Sequence, residues 1–365
     1  MHLSDRLGDR NNHFNLLRVS AALVVLLAHS YVLKGAVMWF DLLVHGYPLS
    51  FGGMAVNAFF VISGFLVTGS LFQRHDINLY LWSRCLRIFP GLWTMLIVTV
   101  FGFGLALTTL PAADYLGSPK THEYFWRGAT LFNGVRYYLP GVFENNAADG
   151  QFNRSLWTLP LELRMYAILA FGWIVLAAAP TIRLAAFRIL APLAAGAGFL
   201  SIGIDFWREG QFNLGAMNAA MFAAGATIFL HAGRIRLSRL ALPVLGAVLL
   251  LGAMSKPALL YVYMPVFPLF VLIAAYARGG PPRAFEPKGD YSYGVYIYAF
   301  PIQQTLIALK PDISPELLTI LAIAVVFPVA MLSWRLVEKP ALARKSAFAA
   351  ATRNAFGSLK ARFAA

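Results

Sequence analysis

Ten apolar stretches of about spanning length, joined mostly by short polar connections, decide what this chain can fold into. They run over about 14–34, 54–73, 86–108, 156–179, 184–204, 212–231, 238–254, 258–277, 291–310 and 315–337. A stretch of ~20 apolar residues matches a hydrocarbon layer of ~30 Å, and a backbone inside that layer must satisfy its polar groups within the segment, as a helix does. The sequence therefore predicts an all-α polytopic membrane protein of about ten transmembrane helices. Composition agrees: 59% of the residues are hydrophobic and only 13% charged, more apolar surface than one soluble core can hide. Two of the connections, 180–183 and 255–257, are short enough to predict tight helical hairpins. Residues 1–345 read as one transmembrane domain and 346–365 as a basic cytoplasmic tail.

The net charge of +14 raises the question of nucleic acid. The basic residues, however, sit between apolar runs, where they act as topology signals, so no nucleic-acid partner is expected. Placing both termini in the cytoplasm assigns 21 of the 30 Lys and Arg residues to that side, Arg10, Arg278, Arg283 and Lys288 among them. Acids such as Asp41, Glu123, Asp149 and Glu316 collect opposite. The long connection 109–155 is then extracytoplasmic. A single cysteine, Cys85, leaves no disulfide framework or thiolate cluster, and no metal is expected.

Against this background a few polar residues stand out by position. Arg18 and His29 are eleven residues apart in the first run, roughly three helical turns, so they share a face about 16 Å apart along the axis. Arg84 and Arg87 share a face at the expected cytoplasmic mouth of the third span, level with Arg18. Three guanidiniums with few acids near them suit phosphate, which arginine grips with two parallel hydrogen bonds; the plainer explanation is contact with lipid headgroups. Glu162 lies roughly 9 Å, and His29 roughly 7 Å, below the outer ends of their runs. A carboxylate beside an imidazole would fix its tautomer and raise its basicity, as general-base chemistry requires. The plainer alternative pairs Glu162 with Arg154 or Arg164. Ser63 falls mid-membrane, as does the face shared by Tyr296 and Gln303.

Taken together these residues resemble the acyltransferase-3 membrane acyltransferases. The resemblance rests on Arg18 and His29, on Gly52-Gly53 through Ser63-Gly64-Phe65, and on Arg84 and Arg87 before Pro90. It continues through Leu156-Trp157 to Glu162 and Tyr166, Tyr291 to Tyr296, and Val337-Glu338-Lys339-Pro340. One departure stands in the ninth span, where many members carry a His shortly before the proline and this chain has Ala299-Phe300-Pro301.

The resemblance implies a bacterial inner-membrane O-acyltransferase that moves an acyl group, acetyl above all, from cytoplasmic acyl-coenzyme A to a hydroxyl of an extracytoplasmic or lipid-linked glycan such as exopolysaccharide or lipopolysaccharide. Its partners would be acyl-coenzyme A, a glycan or lipid-linked oligosaccharide acceptor, and membrane lipids. Arg18, Arg84 and Arg87 would hold the coenzyme, and His29 and Glu162 would be catalytic. Ser63, Tyr296 and Gln303, with Asn57 and Trp157 from the same motifs, are candidates for holding the acceptor or the carbonyl oxygen. The competing class is a transporter, since intramembrane Arg, His and Glu also line substrate and proton pathways. It predicts interrupted helices in paired repeats, which the sequence does not display.

Overall fold

The structure is a computed structural model. It describes residues 1–9, 11–146, 150–277 and 289–364, with side chains of the last helix only as far as Ala355. Arg10, Asp149, Arg278, Arg283 and Lys288, which the charge argument used, lie outside the described residues. The described residues form helices, with two isolated bridges, His2 to Arg236 and Tyr138 to Gln151. The longer helices are α1 (Phe14–Leu33), α2 (Phe51–Arg74), α3 (Ile77–Ile97), α4 (Pro119–Thr130), α5 (Thr158–Val175) and α6 (Pro180–Glu209). They continue with α7 (Leu214–Leu230), α8 (Ala241–Gly252), α9 (Lys256–Ala275), α10 (Ser292–Leu309), α11 (Pro315–Ser333) and α12 (Lys345–Ala364).

Among the described residues, seven helical segments are long and apolar enough to cross a membrane, by length and composition. Their outward faces carry large exposed apolar side chains, among them Ile168, Phe171, Leu193 and Leu200, which water would not tolerate in such number and lipid would. The chain is a multi-pass membrane protein. The helix expected over 238–254 is shorter than the apolar run. Its 12 residues reach about 18 Å, well short of the hydrocarbon thickness.

A second difference bears on the site. The third helix was expected from residue 86, yet α3 begins at Ile77, where the Asp76 side chain accepts the Leu79 N–H at 3.0 Å and caps the first turn. Arg84 and Arg87 are therefore about two and three turns inside a helix, whereas a run from 86 left Arg84 ahead of it and Arg87 in its first turn. Past Val98 the helix widens into a π segment, Val98–Gly104. The connection beyond it is folded: α4 lies back on α3, with Trp93 Nε1 donating to the Ala129 carbonyl at 2.9 Å and Gly128 seated against Leu96.

The chain divides into two compact units, one of Met1–Gly69, Leu176–Ser292 and Ser314–Ile320, the other of Ser70–Val175, Tyr293–Ile313 and Leu321–Ala365. Within the first, α2 and α7 cross so closely that only glycine fits at the contact. A Cβ on Gly64 would stand 2.0 Å from the Phe222 carbonyl oxygen, and one on Gly225 would stand 2.1 Å from that of Val61. Small residues at a crossing let helices in lipid approach to dispersion distance, which replaces the hydrophobic drive they lack there. The Ser63-Gly64-Phe65 motif thus has a packing reason. Helices α8 and α9 form the expected hairpin, with Gly252 against Val262. Within the second unit, α3 is flanked by α4, α5 and α12, and Gly294 of α10 lies against Ala330 of α11.

Candidate functional site

The first unit holds Arg18, His29, Asn57 and Ser63. Arg18, one turn into α1, meets Asp290 at 2.5 Å, and Asp290 also accepts from the Ser292 hydroxyl at 2.6 Å ahead of α10. The expectation of few acids around the arginines is corrected here: Arg18 sits against a partly buried carboxylate. His29 is partly buried at the other end of α1. Its neighbour Ala28 touches the first turn of α2 at Gly52, where a Cβ would come within 2.9 Å of the Ala28 Cβ. That turn is capped by Ser50, whose hydroxyl accepts the Gly53 N–H at 3.0 Å.

Helices α1 and α2 are antiparallel, and two contacts fix their register: Ala28 against Gly52, and the Phe14 and Phe65 rings 5.9 Å apart. Ser63 consequently lies level with the Arg18 end of α1, about 16 Å along the axis from His29. It is too far away to donate to a carbonyl held beside the imidazole. Asn57 is buried and gives its amide N–H to the Tyr263 hydroxyl at 2.9 Å, tying α2 to α9.

The second unit holds Arg84, Arg87, Trp157, Glu162, Tyr296 and Gln303, and it brings several of them together. The Arg84 guanidinium lies over the Tyr166 ring, 5.6 Å from its centre, and the Tyr166 hydroxyl donates to Glu162 one turn back on α5. Arg84 and Glu162 therefore share Tyr166, while Arg154 and Arg164, the alternative partners, are exposed. Arg87 faces Glu338 at 3.6 Å and lies over the Tyr293 and Trp334 rings at 5.5 and 5.9 Å. Tyr293 donates to the Ile88 carbonyl at 2.8 Å, which pins α10 to α3 beside Arg87. Gly91 makes room for that ring; a Cβ there would lie 2.9 Å from Tyr293 Cε1.

Along α10 the polar positions climb from this arginine toward the folded connection. Tyr296 shares a 2.7 Å hydrogen bond with Thr158 at the start of α5. Gln303 is fully buried, and the next residue, Gln304, donates to the Gln151 carbonyl at 2.7 Å. Trp157 is half-buried at the entry to α5. Among the described residues no group of His, Cys, Asp and Glu could hold a metal ion.

Two residues that sequence reasoning had not assigned to the site belong to it. Asp290 and Glu338 are the carboxylates facing Arg18 and Arg87, and Glu338 is only 1% exposed. The signal was present for both: a lone acid abutting an apolar run and opening or closing a helix. Glu338 also ends a second π segment, Trp334–Glu338, and accepts from the Ser333 hydroxyl at 2.9 Å. Such segments recur at functional sites because the extra residue in the turn re-aims side chains, here Trp334 and Glu338 toward one guanidinium.

A seam of arginine, tyrosine and carboxylate inside a multi-pass membrane chain marks a candidate site for a charged substrate. Comparison with known proteins narrows the class: residues 11–335 match the family described as acyltransferase domain, and the chain belongs to that acyltransferase-3 family. It is similar to an O-acetyl transferase of Shigella phage Sf6, at 31% identity over 92% of this chain and 98% of that protein. It also resembles nodulation protein 10 of Rhizobium leguminosarum bv. viciae, at 28% identity over 94% of this chain and 96% of that one. No solved structure matches. The chain is a membrane acyltransferase, and nothing in these comparisons favours the transporter alternative.

Proposed function

We propose that this protein is an O-acyltransferase of a bacterial inner membrane that takes an acetyl group from cytoplasmic acetyl-coenzyme A and places it on a hydroxyl of an extracytoplasmic or lipid-linked glycan. The observation that carries the reading is the seam in the second unit, with two arginines of α3 at one end and Glu162, Tyr296 and Gln303 further along, in a chain of this family. The name of the phage relative supports an acetyl group moving to oxygen.

Arg84 and Arg87, with Arg18, would take the phosphates of the coenzyme, exchanging their internal partners for phosphate oxygens. Arg87 and Arg18 already hold carboxylates, so phosphate would enter sites shaped for an anion. His29 in its neutral form would accept the proton of the acceptor hydroxyl as its oxygen attacks the thioester carbon. The C–S bond then breaks, and the thiolate leaves with the proton that His29 returns. In the covalent variant, His29 attacks first and carries the acetyl group for one step. Glu162 would hold the seam polar through Tyr166, and Tyr296 and Gln303 would offer hydrogen bonds to the acceptor or the carbonyl oxygen.

Purified protein given acetyl-coenzyme A and a polysaccharide acceptor should release free coenzyme A in step with acceptor acetylation. Transport of acetyl-coenzyme A into vesicles with no thiol release would overturn this reading. The orientation, with both termini cytoplasmic and ten spans, is part of the same proposal. A cysteine placed at Ser118, in a Cys85→Ser background, should react with an impermeant maleimide in intact cells. Labelling only after lysis would invert the sidedness and with it the direction of transfer.

A further inference from the structure

Near Arg84 of α3 stand two further cations, Arg74 and Lys345, that the mechanism leaves unused. The chain beyond α11 runs antiparallel along α3, and its register is fixed at three points. Asp76 pairs with Arg353 at 2.5 Å. Trp82 stacks on Phe348 at 4.7 Å and donates to the Thr352 hydroxyl at 2.8 Å. Gly91 lies against Glu338. Each step up α3 is matched by a step back along the C-terminal segment, so Lys345, at the start of α12, falls level with Arg84.

Lys345 is half-buried, and both Arg74 and Arg84 lie close enough to repel its charge. Elsewhere in the protein crowded cations have counter-charges: Arg6 with Asp9, Arg18 with Asp290, Arg87 with Glu338, Arg127 and Arg136 with Glu123, and Arg353 with Asp76. Among the described residues no carboxylate lies within ion-pair distance of Arg74, Arg84 or Lys345. The nearest acid in sequence, Asp76, is committed to Arg353 and to the first turn of α3. The buried Arg84 Nε also has no hydrogen-bond partner among the described residues. Three cations, one of them with a buried, unsatisfied donor, suit a multiply charged anion, which would relieve the repulsion and supply the missing hydrogen bond together.

We propose that Lys345 and Arg74 form, with Arg84, a phosphate subsite separate from Arg87, and that it takes the phosphomonoester on the ribose of coenzyme A. The inference rests on the acyl-coenzyme A reading above. A phosphomonoester carries close to two charges at neutral pH and suits a cluster of cations that lacks a carboxylate. The pyrophosphate would fall to Arg87, whose carboxylate it displaces.

The test compares acetyl-coenzyme A with acetyl-3′-dephospho-coenzyme A, which lacks only that phosphate, in wild type and in Lys345→Ala and Lys345→Arg. Wild type should show a KM for the dephospho donor higher by about 10-fold or more, the scale of one charge-assisted contact. In Lys345→Ala the two donors should converge, and Lys345→Arg should restore much of the difference. Equal discrimination in wild type and Lys345→Ala would overturn the subsite while leaving the enzyme an acyl-coenzyme A acyltransferase. Failure of wild type to use either donor would instead overturn the reading beneath it. An anionic lipid headgroup offers the same chemistry, so the assay is repeated in nanodiscs with and without phosphatidylglycerol. If Lys345→Ala loses a dependence on phosphatidylglycerol and keeps its donor discrimination, the cluster serves lipid and the proposal falls.

Discussion

Replacing His29 with alanine is expected to leave a folded protein that still binds acetyl-coenzyme A and transfers almost nothing, with turnover down by roughly 10²–10⁴-fold, the usual contribution of a general base. The expectation follows from separation. His29 lies about 16 Å along α1 from Arg18, and Arg84 and Arg87 are set on α3 by contacts that do not involve α1: the Tyr166, Tyr293 and Trp334 rings and Glu338. Donor affinity measured by calorimetry should therefore survive while acetylation of the acceptor does not. His29→Gln keeps a hydrogen-bonding side chain that cannot take up a proton. It should be as inactive as the alanine variant if His29 moves the proton, and appreciable turnover would reduce His29 to a positioning role. Acetyl label retained on denatured wild type and absent from His29→Ala would select the covalent route over direct attack.

Much of this was legible before any coordinates, and what was not has identifiable causes. Apolar runs mark helices well because lipid and protein interior both demand apolar side chains. The same signal marks helix ends poorly. Over Ile77 to Ser83 the chain interleaves Asn78, Tyr80 and Ser83 with apolar residues, so the run seemed to start at 86. Hydrogen bonding set the true start instead, through the Asp76 cap. Residues 240–254 carry no polar side chain and still yield only a 12-residue helix, since hydropathy carries no information on where a hairpin turns.

The partners of the arginines were invisible for a different reason. Asp290 is 272 positions from Arg18, and no periodicity relates groups so distant in sequence. For Ser63, depth counted along its own helix names no neighbour; the register of α2 on α1, set by Ala28 against Gly52 and Phe14 against Phe65, places it level with Arg18. What reasoning from residue types did find was the set of charged residues inside apolar runs, because each is costly there without a purpose.

Arg84 and Arg87, three residues apart and alike in sequence, are expected to behave differently when removed, and the difference comes from what each faces. Arg87 lies 3.6 Å from Glu338, whose side chain is 1% exposed, so Arg87→Met strips a buried carboxylate of the cation facing it. Losing one member of a buried pair costs about 3–5 kcal/mol, because the remaining charge keeps its desolvation penalty without the attraction that offset it. The hydrogen bond from Ser333 to Glu338 places this case toward the lower end of that range. Arg84 faces the Tyr166 ring and no carboxylate among the described residues. Arg84→Met should weaken donor binding by about 1.5–3 kcal/mol, the scale of a charge-assisted contact, and change thermal stability little. Arg87→Met should lose donor binding and unfold at distinctly lower temperature. Adding Glu338→Gln to Arg87→Met removes the stranded charge, so the double variant should regain stability and still fail to bind donor. Thermal unfolding in detergent, read beside donor affinity, separates the two roles. Equal melting temperatures for the two single variants would show that Glu338 is not held by Arg87, and no recovery in the double variant would show that the cost lies in packing rather than in charge.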